Sequence, residues 1–596
     1  MKLKIQNKNY TLFDFIKIPF FIAPGFSSLR IIDKLIYALI PSLQILLTAK
    51  FIDTAIAVFN SQSEKSRIYS PLIYIMLIIA YQYIGFALMG FVRARMDMRM
   101  TKEFRSAVIE KRASLEYLHI ENNDTWDLIN RVGGDPSGSV SNGLDTLIRM
   151  ADMIVRVGSI LIILLAQVWW AALIILAVSA PLFWLSIKSG KTNYNAWKEA
   201  EKHNRRAWYL QGVMTGRENV EERALFSYTN EINKRWYEKF ITAYKINTKA
   251  RKSQFIKMKG SSLITIVISV IIVGVLIVPL GSGTITIGMF MGLVTATFNL
   301  VQMMSWELTS ITNQLSYSRE YMKDLTEFSK LSENEGAADL PAVSVDEPEC
   351  IEFINVSFCY PGTDVQILKN LSLTINAKQH YAFVGINGAG KTTLTKLLTG
   401  LYDNYTGDIL IDGKNLRDYK QAELKTMFSV VYQDYAKYQI IMRDSIGIGN
   451  VHGTSDEIIS EKIKIIGLDE AVEKLPDGIN TPLGKIKDNG VDISGGEWQK
   501  VAIARSLVSN AFVHILDEPT AALDPVMESE IYKLFGQISK NKTTIFITHR
   551  LGAARLAKKI FVISDGCVKE QGSHDELLQK NGIYAEMFNS QRGWYI

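Results

Sequence analysis

Apolar residues are distributed very differently in the two halves of the chain. In the first half they form six stretches that approach the ~20 residues an α-helix needs to cross the hydrocarbon core of a bilayer. These stretches cover residues 35–58, 71–92, 148–168, 170–187, 261–282 and 285–306. From about residue 348 the apolar runs are short and separated by turn-forming residues, which indicates a soluble α/β domain. The chain, at 596 residues, is too long for one hydrophobic core, so at least two domains are expected.

The polar connections between these stretches predict their orientation in a membrane. Segments 93–147 and 188–258 are rich in Lys and Arg and have the composition of long helices, whereas the other connections are short and nearly uncharged. The excess of positive charge on the cytoplasmic side of membrane proteins therefore predicts that the N-terminus and both long segments are cytoplasmic. Helix-poor stretches at 120–135 and 216–229 interrupt these segments, and we expect them to contact a cytoplasmic domain.

The N-terminal segment 15–25 is short, amphipathic and broken by Pro19 and Pro24. It is not typical of a cleavable signal, and we expect it to lie on the membrane surface. Residues 332–350 are small, acidic and marked by proline, which predicts a linker.

Composition narrows the class of protein further. The formal net charge is +6 and no dense basic tract occurs, so nucleic-acid binding is not expected. The three cysteines, Cys350, Cys359 and Cys567, all lie in the second half without metal-ligand spacing. A disulfide framework is therefore not expected, and a reducing compartment fits.

A complete phosphate-binding motif occurs in the second half. An apolar strand ending at Val384 is followed by a glycine-rich loop, by Lys391-Thr392 and then by a helical pattern. The glycines allow backbone N–H groups to surround a phosphate, the lysine adds positive charge, and the threonine hydroxyl can bind Mg²⁺. This strand–loop–helix context predicts an ATP site of the P-loop type.

Other polar residues follow apolar strands in the same half. Asp517 and Glu518 end one strand, His549 ends another, and Gln433 follows a third. An acid at such a position can hold Mg²⁺, and a second acid can polarise the attacking water. Tyr360 precedes the first strands and could stack on adenine. For the two acids, the alternative is a pair of surface acids, which the nearby P-loop disfavours. For His549 the alternative is a histidine of the core or of a loop. For Tyr360 it is an aromatic residue that only packs in the core.

The stretch "DISGGEWQK" at 492–500 has the composition of an anion-binding helix N-terminus but has no phosphate-loop lysine. Taken in the order in which they occur along the chain, these motifs resemble those of ATP-binding cassette (ABC) exporters. The resemblance covers nearly the whole chain. It implies a membrane α-helical six-helix domain with long cytoplasmic helical extensions, fused to a C-terminal α/β P-loop ABC ATPase domain with a helical subdomain. We expect an N-terminal segment at 1–30, the membrane domain at 31–330, a linker at 331–348 and the nucleotide-binding domain at 349–596.

The resemblance also implies the roles of individual residues. ATP and Mg²⁺ are the expected cofactors. The residues implied for ATP are Tyr360, Gly385, Asn387, Gly388, Gly390, Lys391, Thr392, Thr393 and Asp517, those for catalysis are Glu518, His549 and Gln433, and those for Mg²⁺ are Thr392, Gln433 and Asp517. Ser494, Gly495, Gly496 and Glu497 are implied to face the ATP of a partner subunit, and Asp524 belongs to the D-loop. Because no catalytic position is degenerate, a homodimer with two working sites is expected, and a heterodimer with one degenerate site stays the alternative.

The substrate is predicted less directly. The signature ends in Glu497 where the family usually has Gln, and "SGGEWQK" together with "YQDYAKY" is similar to exporters of lantibiotics such as the nisin transporter type. We therefore expect export of a modified peptide across the cell membrane by alternating access. No cysteine precedes Cys350, so no cysteine-peptidase domain is expected ahead of the membrane half. Polar residues of the spans are the candidates for lining the substrate cavity: Tyr81, Tyr83, Asn299, Gln302 and Trp306.

Two other functions stay open at this point. A multidrug or lipid exporter, carrying a hydrophobic small molecule, would use the same architecture. A soluble ABC ATPase is a second alternative, which six apolar stretches disfavour. Within the third stretch, Asp152 and Arg156 stand four residues apart on one helical face, and we expect them to pair with each other rather than to line a cavity.

Overall fold

The computed structural model describes residues 3–303, 307–337, 339–486, 489–519 and 542–592. The chain divides into two compact units. The first contains Met1–Ile109 and Leu128–Lys330, and the second contains Glu110–Asp127 and Leu331–Ile596. The segment 110–127 therefore belongs to the unit that holds the phosphate-binding motif, although it lies far from that motif in sequence.

The first unit is built of helices throughout the described residues. They are α1 (Asp14–Ile22), α2 (Pro24–Phe59), α3 (Tyr69–Met100), α4 (Ser106–Ser114), α5 (Tyr117–Glu121), α6 (Asn123–Gly133), α7 (Pro136–Thr215), α8 (Val220–Phe226), α9 (Thr229–Gly281), α10 (Ile287–Gln302) and α11 (Leu308–Lys330), of which α5 and parts of α4 and α6 belong to the second unit. Val168 has non-helical backbone angles inside α7, near the predicted break between the third and fourth apolar stretches.

Among the described residues, three helices are long and apolar enough to cross a membrane. They lie at Pro24–Phe59, Lys65–Ser114 and Pro136–Trp170, and a shorter apolar helix lies at Ile287–Leu300. The predicted stretches 35–58, 71–92 and 148–168 fall inside them. The other three predicted stretches stay predictions, since most side chains of 170–187 and 261–282, and residues 304–306, lie outside the described part.

Charged residues of the apolar helices have local partners. Asp53 of α2 accepts hydrogen bonds from the Thr286 hydroxyl at 2.6 Å and the Gly288 N–H at 2.7 Å, at the start of α10. A Cβ on Gly288 would lie 2.1 Å from the Ala49 carbonyl oxygen, so glycine allows α10 to approach α2 closely. Arg156 Nη2 lies 2.5 Å from Asp152 Oδ2, so the expected pairing of Asp152 with Arg156 is confirmed.

The second unit contains two sheets. The strands are β1 (Cys350–Cys359), β2 (Gln366–Asn376), β3 (His380–Val384), β4 (Thr406–Ile411), β5 (Lys414–Asn415), β6 (Phe428–Val431), β7 (Val513–Asp517), β8 (Thr543–Ile547), β9 (Lys559–Ser564) and β10 (Cys567–Gly572). One sheet has the antiparallel order β2-β1-β4-β5, and the other has the order β10-β9-β3-β8-β7-β6, parallel except for β10. The short, almost completely buried strands β3, β7 and β8 are typical of a parallel sheet covered on both faces.

Helices surround and extend this sheet. They are α12 (Lys391–Leu398), α13 (Gln421–Met427), α14 (Met442–Gly447), α15 (Asp456–Ile465), α16 (Asp469–Glu473), α17 (Gly495–Leu507), α18 (Leu551–Ala554), α19 (His574–Gln579) and α20 (Ile583–Arg592). Side chains of α14, α15 and α17 share one apolar core, which includes the buried Trp498. A second core joins α12 to both sheets. The expected α/β domain with a helical subdomain is thus present.

Candidate functional site

The phosphate loop connects β3 to α12. Gly390 caps α12 with φ +101°, a left-handed conformation that glycine adopts without a steric penalty. A Cβ on Gly385 would lie 2.2 Å from the Ile563 carbonyl oxygen, so this position also has no room for a side chain. The loop therefore presents backbone N–H groups at the start of α12, where an anion is favoured.

Lys391, the first residue of α12, is held inside this loop. Its Nζ donates to the carbonyl oxygens of Gly385 at 2.9 Å and Ile386 at 3.1 Å. The side chain is only 6% exposed, and burial lowers its pKa, although the nearby Glu518 and Asp517 oppose this shift. A buried cation beside free backbone donors attracts a polyphosphate strongly.

Asp517, Glu518 and His549 lie together at one edge of the parallel sheet. Residues that follow β3, β6, β7 and β8 meet at this edge because these strands run in the same direction. His549 Nδ1 lies 3.0 Å from Glu518 Oε1, with side-chain exposures of 48% and 12%. Glu518 has φ +48°, and its N–H donates to the Ile547 carbonyl at 2.9 Å.

Asp517 fits a cation. Its side chain is buried, and neither carboxylate oxygen forms a hydrogen bond with any residue that the structure describes. Burial raises its pKa to about 6, while the nearby Thr392 hydroxyl and Lys391 lower it. The Thr392 hydroxyl lies near enough to Asp517 to favour the ionised carboxylate, but the two groups do not have hydrogen-bonding geometry. A buried carboxylate without partners, next to a hydroxyl, is a donor set suited to Mg²⁺.

Gln433 and Tyr360 lie at the borders of this site. Gln433 is exposed in the turn that follows β6, at the same sheet edge as Asp517. The Tyr360 hydroxyl is 2.9 Å from Thr393 Oγ1 on α12. Its ring packs edge-on against Phe358 and Tyr402, with centroids 5.1 and 5.7 Å away. Tyr360 therefore joins the aromatic core and is anchored to the phosphate-binding helix.

The signature segment begins α17 with a reciprocal cap. The Ser494 N–H donates to Glu497 Oε2 at 2.7 Å, and the Glu497 N–H donates to Ser494 Oγ at 3.3 Å. A Cβ on Gly495 would meet no atom within 4 Å, so the start of α17 is open. Trp498 anchors the turn by donating from Nε1 to Asp492 at 3.2 Å, and burial places its ring in the helical core.

The structure leaves some predicted residues apart from this cluster. Asp524 and Trp306 lie outside the described residues, as does the side chain of Gln302. The Tyr81 hydroxyl donates to Asp33 Oδ1 at 2.9 Å, while Tyr83 is 77% exposed and Asn299 is exposed as well. No described contact joins these residues into one cavity.

Several residues that position the site carry no recognisable signal in the sequence. Gln591 of α20 donates to the His549 carbonyl and accepts from the Leu551 N–H at 2.9 Å, so it holds the loop that carries the histidine. Lys396 and Tyr402 contact both Tyr360 and Glu121 of α5. No sequence motif marks Gln591, Lys396 or Tyr402, although Glu121 lies in the predicted contact stretch 120–135.

Together these features define a P-loop ATPase joined to apolar helices. Residues 368–521 match the family described as ABC transporter. The chain is 29% identical over 84% of its length to the subtilin transport ATP-binding protein SpaT of Bacillus subtilis, covering 81% of that protein. It is also 29% identical over 84% of its length to the nisin transport ATP-binding protein NisT of Lactococcus lactis subsp. lactis, covering 84% of that protein.

Two further comparisons extend this result. The ATP-dependent lipid A-core flippase of Escherichia coli (strain K12) is 34% identical, but only over 51% of this chain and 52% of that protein. A solved bacterial Atm1-family ABC exporter with ATP bound has a TM-score of 0.75 and 23% identity, covering 95% of this chain and 98% of that one. The chain therefore carries an ABC transporter domain and has the fold of an ABC exporter. The matched domain and these relatives imply ATP hydrolysis coupled to transport.

Proposed function

We propose that this protein exports a modified peptide of the lantibiotic class across the cell membrane, using ATP. The observation that carries this proposal is the extent of the similarity to the subtilin and nisin transport proteins, which spans 84% of the chain in both cases. A similarity of that extent includes the membrane half, which would contact the substrate, as well as the ATPase.

The described contacts support a division of labour at the ATP site. Lys391 and the loop N–H groups bind the β- and γ-phosphates. Thr392, Asp517 and Gln433 would hold Mg²⁺, which when bound neutralises developing charge on the phosphate oxygens. Glu518 accepts a proton from water as the water oxygen bonds to the γ-phosphorus and the bond to the bridging oxygen of ADP breaks. The His549 imidazole, 3.0 Å from Glu518, orients that carboxylate.

We further propose that the protein works as a homodimer. Ser494, Gly495 and Gly496 lie at the open start of α17, and an open helix N-terminus favours an anion. In the proposed dimer this segment faces the γ-phosphate bound by the partner. The assignment of Asp524, which lies outside the described residues, to the D-loop stays a prediction. ATP then holds two incomplete sites together until hydrolysis removes the γ-phosphate.

For the membrane half we propose six spans, with the N-terminus and the ATPase on the cytoplasmic side. The basic segments 93–147 and 188–258 support this orientation. We propose that the domain boundaries lie at residues 30, 330 and 348. The residues proposed to line the substrate path are Tyr81, Tyr83, Asn299, Gln302 and Trp306. Tyr81 is the weakest of these, because its hydroxyl already bonds to Asp33.

One observation favours a second candidate, an exporter of lipids or hydrophobic small molecules. Identity to the lipid A-core flippase is higher, at 34%, but it covers only about half of each chain. Because ATPase sequences are similar across exporters with different substrates, the longer match to the peptide transporters carries more weight for substrate class.

ATPase activity of the purified protein in lipid nanodiscs tests both candidates. Activity is measured alone and with nisin, an unmodified precursor peptide, a lipid A preparation and a cationic dye, using Glu518→Gln as the inactive control. Stimulation by the modified peptide alone supports peptide export. Stimulation only by lipid or dye moves the assignment to the second candidate. Absence of Glu518-dependent hydrolysis under all conditions contradicts the homodimer.

A further inference from the structure

Glu121 is the last residue of α5, and its carboxylate contacts two residues of the ATPase. Lys396 Nζ donates to Glu121 Oε1 at 2.9 Å, and the Tyr402 hydroxyl donates to Glu121 Oε2. Burial opposes ionisation of Glu121, but the hydrogen bonds from Tyr402 and Lys396 outweigh it and lower its pKa. Glu121 is therefore an ionised acceptor shared by two donors, and charge-assisted hydrogen bonds of this kind are about twice as strong as neutral ones.

Both donors also contact Tyr360. Lys396 Nζ lies 5.3 Å from the Tyr360 ring centroid and 5.2 Å from that of Tyr117, so its cation stands between two aromatic faces. The buried Tyr402 ring lies 5.7 Å from Tyr360 and 5.5 Å from Tyr117. Tyr360 is thus held by a cation and a ring that Glu121 in turn fixes.

The same helix connects this cluster to the phosphate loop. Lys396 and Thr393 belong to α12, which begins with Lys391, and Thr393 bonds to the Tyr360 hydroxyl. A movement of α5 that breaks the bonds of Glu121 would therefore release Lys396 and Tyr402 beside Tyr360 without touching Lys391.

From this arrangement we infer that Glu121 is a positioning residue of the nucleotide-base site, acting on Tyr360 through Lys396 and Tyr402. The inference rests on the proposed ATPase function and on Tyr360 as the base-stacking residue. Because linkage is reciprocal, base binding at Tyr360 stabilises the docked state of segment 110–127 as much as docking favours base binding. Segment 110–127 lies between α3 and α7 in the chain and so belongs to the connection between two apolar helices. Occupancy of the base site is thereby linked to the docking of that connection.

The first test measures ATP hydrolysis by the full chain in nanodiscs. Glu121→Gln removes the charge, and Tyr402→Phe removes only the hydroxyl. We expect each to raise KM for ATP about threefold to tenfold, the effect of weakening one charged hydrogen bond, with kcat changed less than about twofold. Asp124→Asn is the matched control, because it removes a carboxylate three residues away that forms no hydrogen bond or ion pair with the described residues, and its KM should be unchanged.

A double-mutant cycle separates a specific link from a general loss of structure. If Glu121 acts through Lys396, then Glu121→Gln combined with Lys396→Met raises KM no more than Lys396→Met alone. Additive effects on KM, or a fall in kcat with KM unchanged, would overturn the inference.

The second test does not require hydrolysis. Hydrogen exchange of residues 115–126 is followed in Glu518→Gln protein with and without Mg-ATP. We expect ATP to slow exchange in this segment at least about threefold, and we expect Glu121→Gln to abolish that protection while ATP still protects the phosphate loop. Protection that persists in Glu121→Gln overturns the inference. If the wild type hydrolyses no ATP, the proposed function fails, whereas this exchange experiment still decides the role of Glu121.

Discussion

At the scale of single residues, the chemistry depends on two neighbouring acids in different surroundings. Asp517 is buried without a described hydrogen-bond partner, whereas Glu518 has a positive φ and lies 3.0 Å from His549 Nδ1. The first environment favours a bound cation, and the second holds a carboxylate beside a histidine, the arrangement proposed to act on water. The backbone conformation of Glu518 therefore separates the proposed metal ligand, Asp517, from the proposed base one residue away.

Replacing Glu518 by Gln keeps the size of the side chain and removes its basicity. We expect kcat for ATP hydrolysis to fall by about 10²- to 10³-fold while ATP still binds. Phosphate release and binding of labelled ATP measure the two quantities. His549→Ala should reduce kcat less, because it only orients Glu518. A larger loss in His549→Ala than in Glu518→Gln would contradict these roles.

The raised pKa of Asp517 predicts that Mg²⁺ binding depends on pH. The pKa near 6 means that the folded, metal-free protein holds this proton from pH 4 to nearly pH 6, where the unfolded chain has lost it. Stability of the metal-free protein therefore falls as pH rises through this window. Below pH 6, Mg²⁺ must displace this proton from Asp517. The affinity of the protein for Mg²⁺ should therefore fall by up to about tenfold for each pH unit of acidification below pH 6.

Titration of Mg²⁺ into ATP-loaded Glu518→Gln protein at pH 5, 6 and 7 measures this dependence. Asp517→Asn is the control, because it cannot ionise and should bind Mg²⁺ weakly at every pH. Equal affinity of the parent protein at pH 5 and pH 7 would contradict a role for the Asp517 carboxylate in holding the metal.

At the scale of elements, the start of α17 is stabilised by its own sequence. Ser494 and Glu497 cap each other. This reciprocal cap explains why the carboxylate of Glu497 can replace the Gln amide that the family usually has at this position. A glutamate at this position also interacts favourably with the positive end of the helix. The departure from the usual signature therefore preserves the local structure.

This cap predicts different outcomes for two substitutions of Glu497. Glu497→Gln keeps an acceptor for the Ser494 N–H, and we expect ATPase activity within about twofold of the wild type. Glu497→Ala loses the acceptor and should destabilise the start of α17 by about 1 kcal/mol, lowering activity several-fold. Steady-state ATPase measurements compare them. Equal activity of both variants would show that the cap does not position the signature.

At the scale of the whole molecule, the proposed dimer predicts complementation between two inactive variants. Lys391→Met removes the phosphate-loop cation, and Ser494→Arg blocks the signature. In a head-to-tail dimer of one chain of each, one site combines both defects and the other is intact. We therefore expect a mixture of the two to regain about a quarter of wild-type activity, from half of the dimers with one working site each.

The control for this experiment carries both substitutions in one chain and is assembled with wild-type chain. Each site in that mixed dimer has one defect, so mixed dimers should be inactive and only wild-type homodimers should contribute. Activity is measured first on the whole co-expressed mixture. Two-tag purification then isolates the mixed dimers, and we expect about half of wild-type activity for the Lys391→Met and Ser494→Arg dimer and none for the control dimer. If the Lys391→Met and Ser494→Arg mixed dimer is inactive, the signature does not act across the subunit contact.

The sequence alone determined the parts of this protein that depend on local pattern. Three long apolar helices follow from runs of apolar residues, because a membrane helix needs only length and composition. The phosphate loop follows from glycines, lysine and threonine at fixed spacing between a strand and a helix. The capping box of Ser494 and Glu497 likewise follows from two residues that lie three positions apart in the sequence.

Only the tertiary structure decided which distant residues meet. Glu121 lies 275 residues before Lys396, and the ion pair between them depends on the fold rather than on any spacing in the chain. The same is true of Gln591, which holds the His549 loop from the last helix. The parallel order of the central strands brings Gln433, Asp517 and His549 to one edge. Such arrangements arise because packing selects partners by shape and burial, which a linear pattern does not encode.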